Sequence, residues 1–228
     1  VIRANSLAKG VSGARPELVD LLLSMVNSRI APIVPRIGSL GASGDLAPLS
    51  HMALGLIGEG ECTRFNDGEW SVIDSKTALT DAGLRPVKLQ AKEGLSLING
   101  TSQMCAYLTK TVLNMETLCL VADASVACSL EAISGSHKPF DKRIHQSRPQ
   151  VGQSISAARI NELLKDSMIM LSHIDCDRVQ DAYSFRCSPQ VHGPVIDLLR
   201  EIRRTLEIEI NSATAVSYTH LTLPTNPE

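Results

Sequence analysis

Thr101–Ser134, TSQMCAYLTKTVLNMETLCLVADASVACSLEAIS, runs without a proline and carries apolar side chains at helical spacing throughout. Met104, Leu108, Val112, Met115, Leu118 with Cys119, Ala122, Val126, Leu130 and Ile133 recur every three to four residues. That period belongs to a helix with a buried face, and a helix of this length predicts the core of a bundle. Composition agrees. Only 3% of the 228 residues are aromatic, while Leu, Ile, Val and Ala are plentiful, which favours helices packed on helices over a β-sandwich. The expected fold class is therefore mainly α.

Working outward, Pro16–Ile30 (PELVDLLLSMVNSRI) reads as a helix of about four turns, with proline in the first turn and the prolines of APIVP stopping it. Asp45 is placed to cap a helix from Leu46 to about Ile57, closed by Gly58 and Gly60. Residues 61–73 alternate around Asn66-Asp67-Gly68, which predicts a small β-hairpin. A short helix over 75–83 ends at Gly83, and Pro86 begins an extended link into KEGLSLINGTSQ. Residues 135–153 read as a polar connection on which His137 and His145 face solvent. A helix over 154–172, an irregular stretch and a last helix over 195–213 follow. We place residues 1–214 in one partial domain. Residues 215–228, AVSYTHLTLPTNPE, abandon the helical pattern and read as a foreign tail resembling translated adapter sequence.

The bulk numbers narrow the function. A formal charge of -2, with 22 basic and 24 acidic residues interspersed, offers no basic stripe for nucleic acid and no polybasic anchor for a membrane. No apolar run reaches the roughly 18 residues that span a bilayer, and the N-terminus lacks a signal-peptide core. Six cysteines without a CxxC pair fit reduced thiols, so the expected compartment is the cytoplasm. His173, Asp175 and Asp177 lack a second cluster to complete a metal site, and none is expected. His51 reads as a structural helix residue.

Gly38–Met52, GSLGASGDLAPLSHM, concentrates three glycines and three serines where a helix begins. A nucleophile elbow fails on spacing, because Asp45 stands where the second glycine belongs. A phosphate loop lacks the Lys-Ser/Thr that should follow. A third reading is cyclisation of Ala42-Ser43-Gly44. Attack of the Gly44 amide nitrogen on the Ala42 carbonyl, loss of water and dehydration of Ser43 leave an exocyclic methylidene, a strong electrophile beside a helix N-terminus. A plain capping turn is the alternative.

Four blocks together carry a resemblance: GSLGASGDLAPLSHMALGLIGEGE (38–61), KEGLSLINGT (92–101), HKPFDKRIHQSRP (137–149) and VQDAYSFRCSPQVHG (179–193). In this order and at these separations they closely resemble the aromatic amino acid ammonia-lyases, over essentially residues 1–214. The resemblance implies a long-helix bundle of the fumarase/aspartase-like type and a homotetramer whose active sites gather residues from neighbouring subunits. It also implies that Ala42, Ser43 and Gly44 form 4-methylideneimidazol-5-one (MIO), with no external cofactor. Asn99 and Tyr183 would lie near that group, Gln180 would line the pocket, and Arg186 would bind the substrate carboxylate. Read unaided, Asn99 is a helix cap and Arg186 an ordinary ion pair.

LAPLSHM with His51, EGLSLINGT and QDAYSFRCSPQVHG resemble the histidine-deaminating branch, which implies conversion of L-histidine to trans-urocanate and ammonia. Ser102 departs from that branch, where glutamine generally follows the threonine. A phenylalanine or tyrosine ammonia-lyase or an aminomutase is the alternative within the family. The family's chains extend further at both ends, so this one reads as an internal fragment, inactive alone, of a carbon–nitrogen lyase. A truncated, inert helical protein is the alternative outside the enzyme class.

Overall fold

The computed structural model describes residues 1–41 and 44–214, and it is mainly helical with one small sheet. Ala42, Ser43 and the tail 215–228 lie outside the described residues. The chain divides into two compact units, one comprising Val1–Leu108 with the segment from Leu206, the other Thr109–Thr205.

In the first unit α1 (Ile2–Ala8) is followed by α2 (Pro16–Asn27), which starts on its proline as expected and buries Leu18, Leu21, Leu22 and Met25 along one stripe. It stops short of the prolines expected to end it. Arg29 turns the chain with φ +53, and β1 (Ile30–Pro32) pairs antiparallel with β2 (Glu61–Asn66). The hairpin forms as read: β2 and β3 (Glu69–Asp74) pair through to Asn66 and Glu69, and Asp67 and Gly68 make the two-residue turn with φ +50 and +89. β1 makes the expected hairpin a three-stranded sheet. α3 (Leu46–Ile57) matches its expected bounds, α4 (Ser75–Asp81) ends two residues before the expected 83, and the link after Pro86 contains a short helix, α5 (Glu93–Ile98). Leu56, Cys62, Leu79 and Leu97 meet in the core with no exposure.

Glu93 is buried at the start of α5, where it accepts from Arg15 Nε at 2.7 Å and from the backbone amides of Gln90 and Arg15. The Arg15 bond above all, with those amides, holds the Glu93 carboxyl at about 2 against an ordinary 4.5. A depressed carboxyl contributes stability that is present above its unfolded value and is lost as pH falls through the folded one. Thermal stability should therefore drop between about 4.5 and about 2 in part through this group. Melting curves of wild type and Glu93→Gln across that range should converge in acid. Parallel curves would contradict the account.

The second unit contains most of α6 (Ser102–Ala132), a 3-10 turn (Lys138–Phe140), α7 (Lys142–Gln146), α8 (Val151–Leu163), α9 (Met168–Ser172), α10 (Tyr183–Arg186) and most of α11 (Ser188–Ile210). α6 confirms the long helix. The helix expected over 154–172 is two, separated at Asp166 with φ +57. α11 begins at Ser188, before the expected 195, and runs through Pro194. Tertiary contact overrides the proline there. A Cβ on Gly193 would lie 2.5 Å from the Gln153 nitrogen, so two glycines, Gly152 and Gly193, let α8 and α11 touch backbone to backbone.

His145, expected in solvent, is buried at 2% exposure. Its Nε2–H donates to the Pro139 carbonyl at 3.0 Å, and Nδ1 accepts from Gln153 Nε2 at 2.9 Å. Partners from its own connection and from α8 satisfy both nitrogens, which makes burial of a polar ring affordable. His137 is exposed, as expected.

Contrary to expectation, the helical stretch Glu93–Ala132 is long and apolar enough, by length and composition only, to match a membrane span. Toward its C-terminal end, however, it carries a carboxylate enclosed by neighbouring helices. Asp123 is buried on α6, accepting from Ser156 Oγ at 2.5 Å and lying 2.8 Å from His192 Nδ1 and 3.5 Å from Arg159 Nη1. One carboxylate thus ties α6 to α8 and α11.

Candidate active site

The C-terminal side of the Ala42-Ser43-Gly44 tripeptide is anchored on Gly100, distant in sequence. Gly44 has φ +93, and a Cβ there would lie 2.6 Å from the Gly100 carbonyl oxygen and 2.9 Å from the Gly100 nitrogen. The Gly100 backbone therefore packs directly on Gly44, which only glycine permits. The next amide, Asp45 N, donates to Gly100 O at 2.8 Å.

Asp45 was expected to cap α3. It stands at that N-cap position, but its side chain caps nothing there. Instead the fully buried carboxylate accepts from the backbone amides of Gln103 and Met104, both at 2.9 Å, at the N-terminus of α6. Ser39 Oγ donates to its other oxygen at 2.8 Å, and Gly41 N donates to Ser39 Oγ at 3.3 Å. The reason is chemical: unpaired amides of a helix's first turn attract a carboxylate whichever segment delivers it. Asp45 so joins the loop, the start of α3 and the start of α6.

Asn99 closes α5 at its C-terminal end with φ -96 and ψ 103. A cap reading was thus correct in kind, at the end of one helix and not the start of another. Its Oδ1 is buried without a hydrogen-bond partner. An unmet buried acceptor is costly in isolation and marks a position awaiting a donor. Ser102, where the sequence departs from the histidine-deaminating pattern, begins α6 with its Oγ likewise buried and unpaired.

Gln180, Tyr183 and Arg186 belong to the second unit. α10 contains Tyr183 and Arg186, while Gln180 lies in the preceding loop. Tyr183 is 71% exposed, and the Arg186 guanidinium lies 5.5 Å from its ring centroid. Arg186 Nε donates to the Asp181 carbonyl at 2.9 Å, which fixes the base of the fork and leaves its tip unpaired among the described residues. Buried Asp181 in turn accepts from Ser136 N at 2.6 Å and from Arg178 at 3.2 Å, anchoring the approach to α10.

Ala42 and Ser43 lie outside the described residues. His51 is on α3, exposed. His173 Nε2 lies 2.8 Å from the Gly135 carbonyl, and no group of three metal-binding side chains gathers among the described residues. Sequence reasoning missed Ser39, Gly100 and Arg3 as parts of this construction. The clue for Arg3 was its spacing of four residues from Leu7, which puts it on the side of α1 that Ala4, Ser6 and Leu7 bury.

Comparison with known proteins gives a consistent result. The sequence profile of the family described as "Aromatic amino acid lyase" matches residues 1–215. A histidine ammonia-lyase of Stigmatella aurantiaca is 52% identical over 214 residues, covering 94% of this chain and 41% of the relative. The crystal structure of histidine ammonia-lyase from Trypanosoma cruzi matches with a TM-score of 0.81 at 37% identity, over 94% of this chain and 39% of that one. Phenylalanine ammonia-lyase from Rhodosporidium toruloides matches with a TM-score of 0.84 at 32% identity, over 93% of this chain and 32% of that one. The chain thus spans about two fifths of the curated relatives' length.

Proposed function

Since the chain belongs to the aromatic amino acid lyase family, we propose that the protein containing it is a histidine ammonia-lyase, converting L-histidine to trans-urocanate and ammonia. Identities of 46–52% to histidine ammonia-lyases of several bacteria support that substrate. The observation that carries the reading is the backbone contact of Gly44 with Gly100. It gives the third residue of Ala-Ser-Gly a conformation and a contact that exclude any side chain, while the buried, unpaired Asn99 oxygen lies on the neighbouring residue. These features fit MIO formed from Ala42, Ser43 and Gly44. That group supplies an electrophile that takes up electron density from the substrate and so activates its amine for departure.

The remaining residues bind and position. Asn99 offers a buried acceptor to a polar N–H or O–H group. Arg186, held at Nε, offers the tip of a planar fork that takes a carboxylate bidentately. Tyr183 offers an exposed hydroxyl, and Gln180, exposed on its loop, lines the substrate's surroundings. Asp45 holds the reactive loop to two helix N-termini.

The protein works as a homotetramer in the cytoplasm. Leu113, Leu118, Leu120 and Val121 are each at least half exposed on α6, and apolar side chains so placed fit a helix that further helices, of the rest of the protein or of neighbouring subunits, would cover. All six cysteines are free, which fits a reducing compartment.

The test uses the complete protein. The Ser43-containing peptide should be lighter by two waters, and urocanate should form from L-histidine while cinnamate and β-amino acids do not form from phenylalanine or tyrosine. An unmodified peptide from a well-folded complete protein would support the inert helical reading instead.

A further inference from the structure

Arg3 is 2% exposed on α1, and no carboxylate among the described residues pairs with it. Burial alone lowers its guanidinium to about 10 from the ordinary 12.5. A charge so placed needs a reason, since burying an unpaired cation is costly. Its Nη2 donates to two carbonyls, Ser96 O and, at 2.8 Å, Asn99 O. Both belong to the C-terminal end of α5, where backbone carbonyls lack amide partners and the helix dipole is negative. That end takes the place of a counter-ion.

The grip has a second consequence. The guanidinium lies against Gly100 so closely that a Cβ on Gly100 would collide with Nη1. On Gly100's other contacts, Gly44 packs against its backbone and Asp45 N bonds its oxygen. The Asn99–Gly100 peptide is therefore held between Arg3 and the reactive loop. Among the described residues Arg3 Nε and Nη1 have no partner, so the side chain's hydrogen bonds there go to this turn alone.

We infer that Arg3 is a positioning residue for the reactive loop: by holding the Ser96 and Asn99 carbonyls, it sets the surface on which Gly44 must lie for Ala42-Ser43-Gly44 to cyclise. The inference rests on the function proposed above. Arg3 reaches the chemistry through the Asn99–Gly100 peptide.

The experiment compares wild type, Arg3→Met and Arg3→Lys in the complete protein. Circular dichroism selects folded material, and mass spectrometry reads the fraction of Ser43 peptide that has lost two waters. Methionine fills the volume without donors, and lysine keeps the charge but grips two carbonyls poorly. Folded Arg3→Met should show a dehydrated fraction about tenfold lower, with kcat falling in proportion and KM nearly unchanged. Arg3→Lys should recover part of both. Full dehydration with unchanged kcat in folded Arg3→Met would overturn the inference, as would failure of both variants to fold, which would assign Arg3 to the fold alone. Failure of the functional proposal looks different, because wild type itself would then lack the dehydrated peptide.

Discussion

Replacing Gly44 by alanine should lower the lyase activity of the complete protein by about a hundredfold or more, because a misplacement near 1 Å in a catalytic loop has that scale of effect. Two costs combine. The backbone at φ +93 strains any L side chain, and the new Cβ would lie 2.6 Å from the Gly100 oxygen, where backbone and not a flexible side chain must yield. The first cost is roughly 1 kcal/mol and the second adds a comparable or larger amount. Gly41 is the internal control. It also has positive φ, +69, but its Cβ would meet nothing within 4 Å. Gly41→Ala should therefore lose about 1 kcal/mol of stability and keep most of its activity. Thermal unfolding, Ser43 peptide mass and urocanate formation measured on both variants separate strain from contact. Equal behaviour of the two would contradict the Gly44–Gly100 contact.

The contrast between those glycines shows where sequence stops being informative. Asp67-Gly68 could be read as a turn because its chemistry is local: both residues need φ near the left-handed region, and their neighbours alternate. α6 was legible for the same reason, its period lying within one segment. β1 was not, since three residues become a strand only by pairing with β2 some thirty positions on. Pro194 hid the start of α11, because the rule that proline ends helices has no access to the contact between Gly193 and α8. His145 looked like a surface residue for want of knowing that Pro139 and Gln153 would satisfy its ring. The site divides in the same way. Gly44 and Asn99 were found through the chemistry of the tripeptide and the family resemblance. That one peptide bond separates Asn99 from the group packed on Gly44 is a tertiary fact.

Asp45 carries the strongest expected effect on stability, and the two substitutions that probe it should differ sharply. Alanine would strip the acceptor from two helix-terminal amides and from Ser39 at a position with no exposure; exposed Ser39 can turn its hydroxyl to water, while the two amides lose the buried oxygen they share. Unmet buried donors cost about 1–3 kcal/mol each before relaxation, so a loss of about 3 kcal/mol or more is expected. Asparagine keeps a carbonyl oxygen for Gln103 and Met104, and its amide can donate to Ser39 Oγ, whose hydroxyl is able to accept. Its expected loss is about 1 kcal/mol, chiefly the charge facing the α6 N-terminus. The activity should follow the same order, since Asp45 also positions the amide that bonds Gly100. Denaturant unfolding of the complete protein, with the Ser43 peptide mass read on the folded fraction, checks both. If Asp45 merely capped α3, the amides of Gln103 and Met104 would feel neither change. Hydrogen exchange at those two amides should instead accelerate strongly in the alanine variant and little in the asparagine one, which locates the effect 58 and 59 residues away from the substitution.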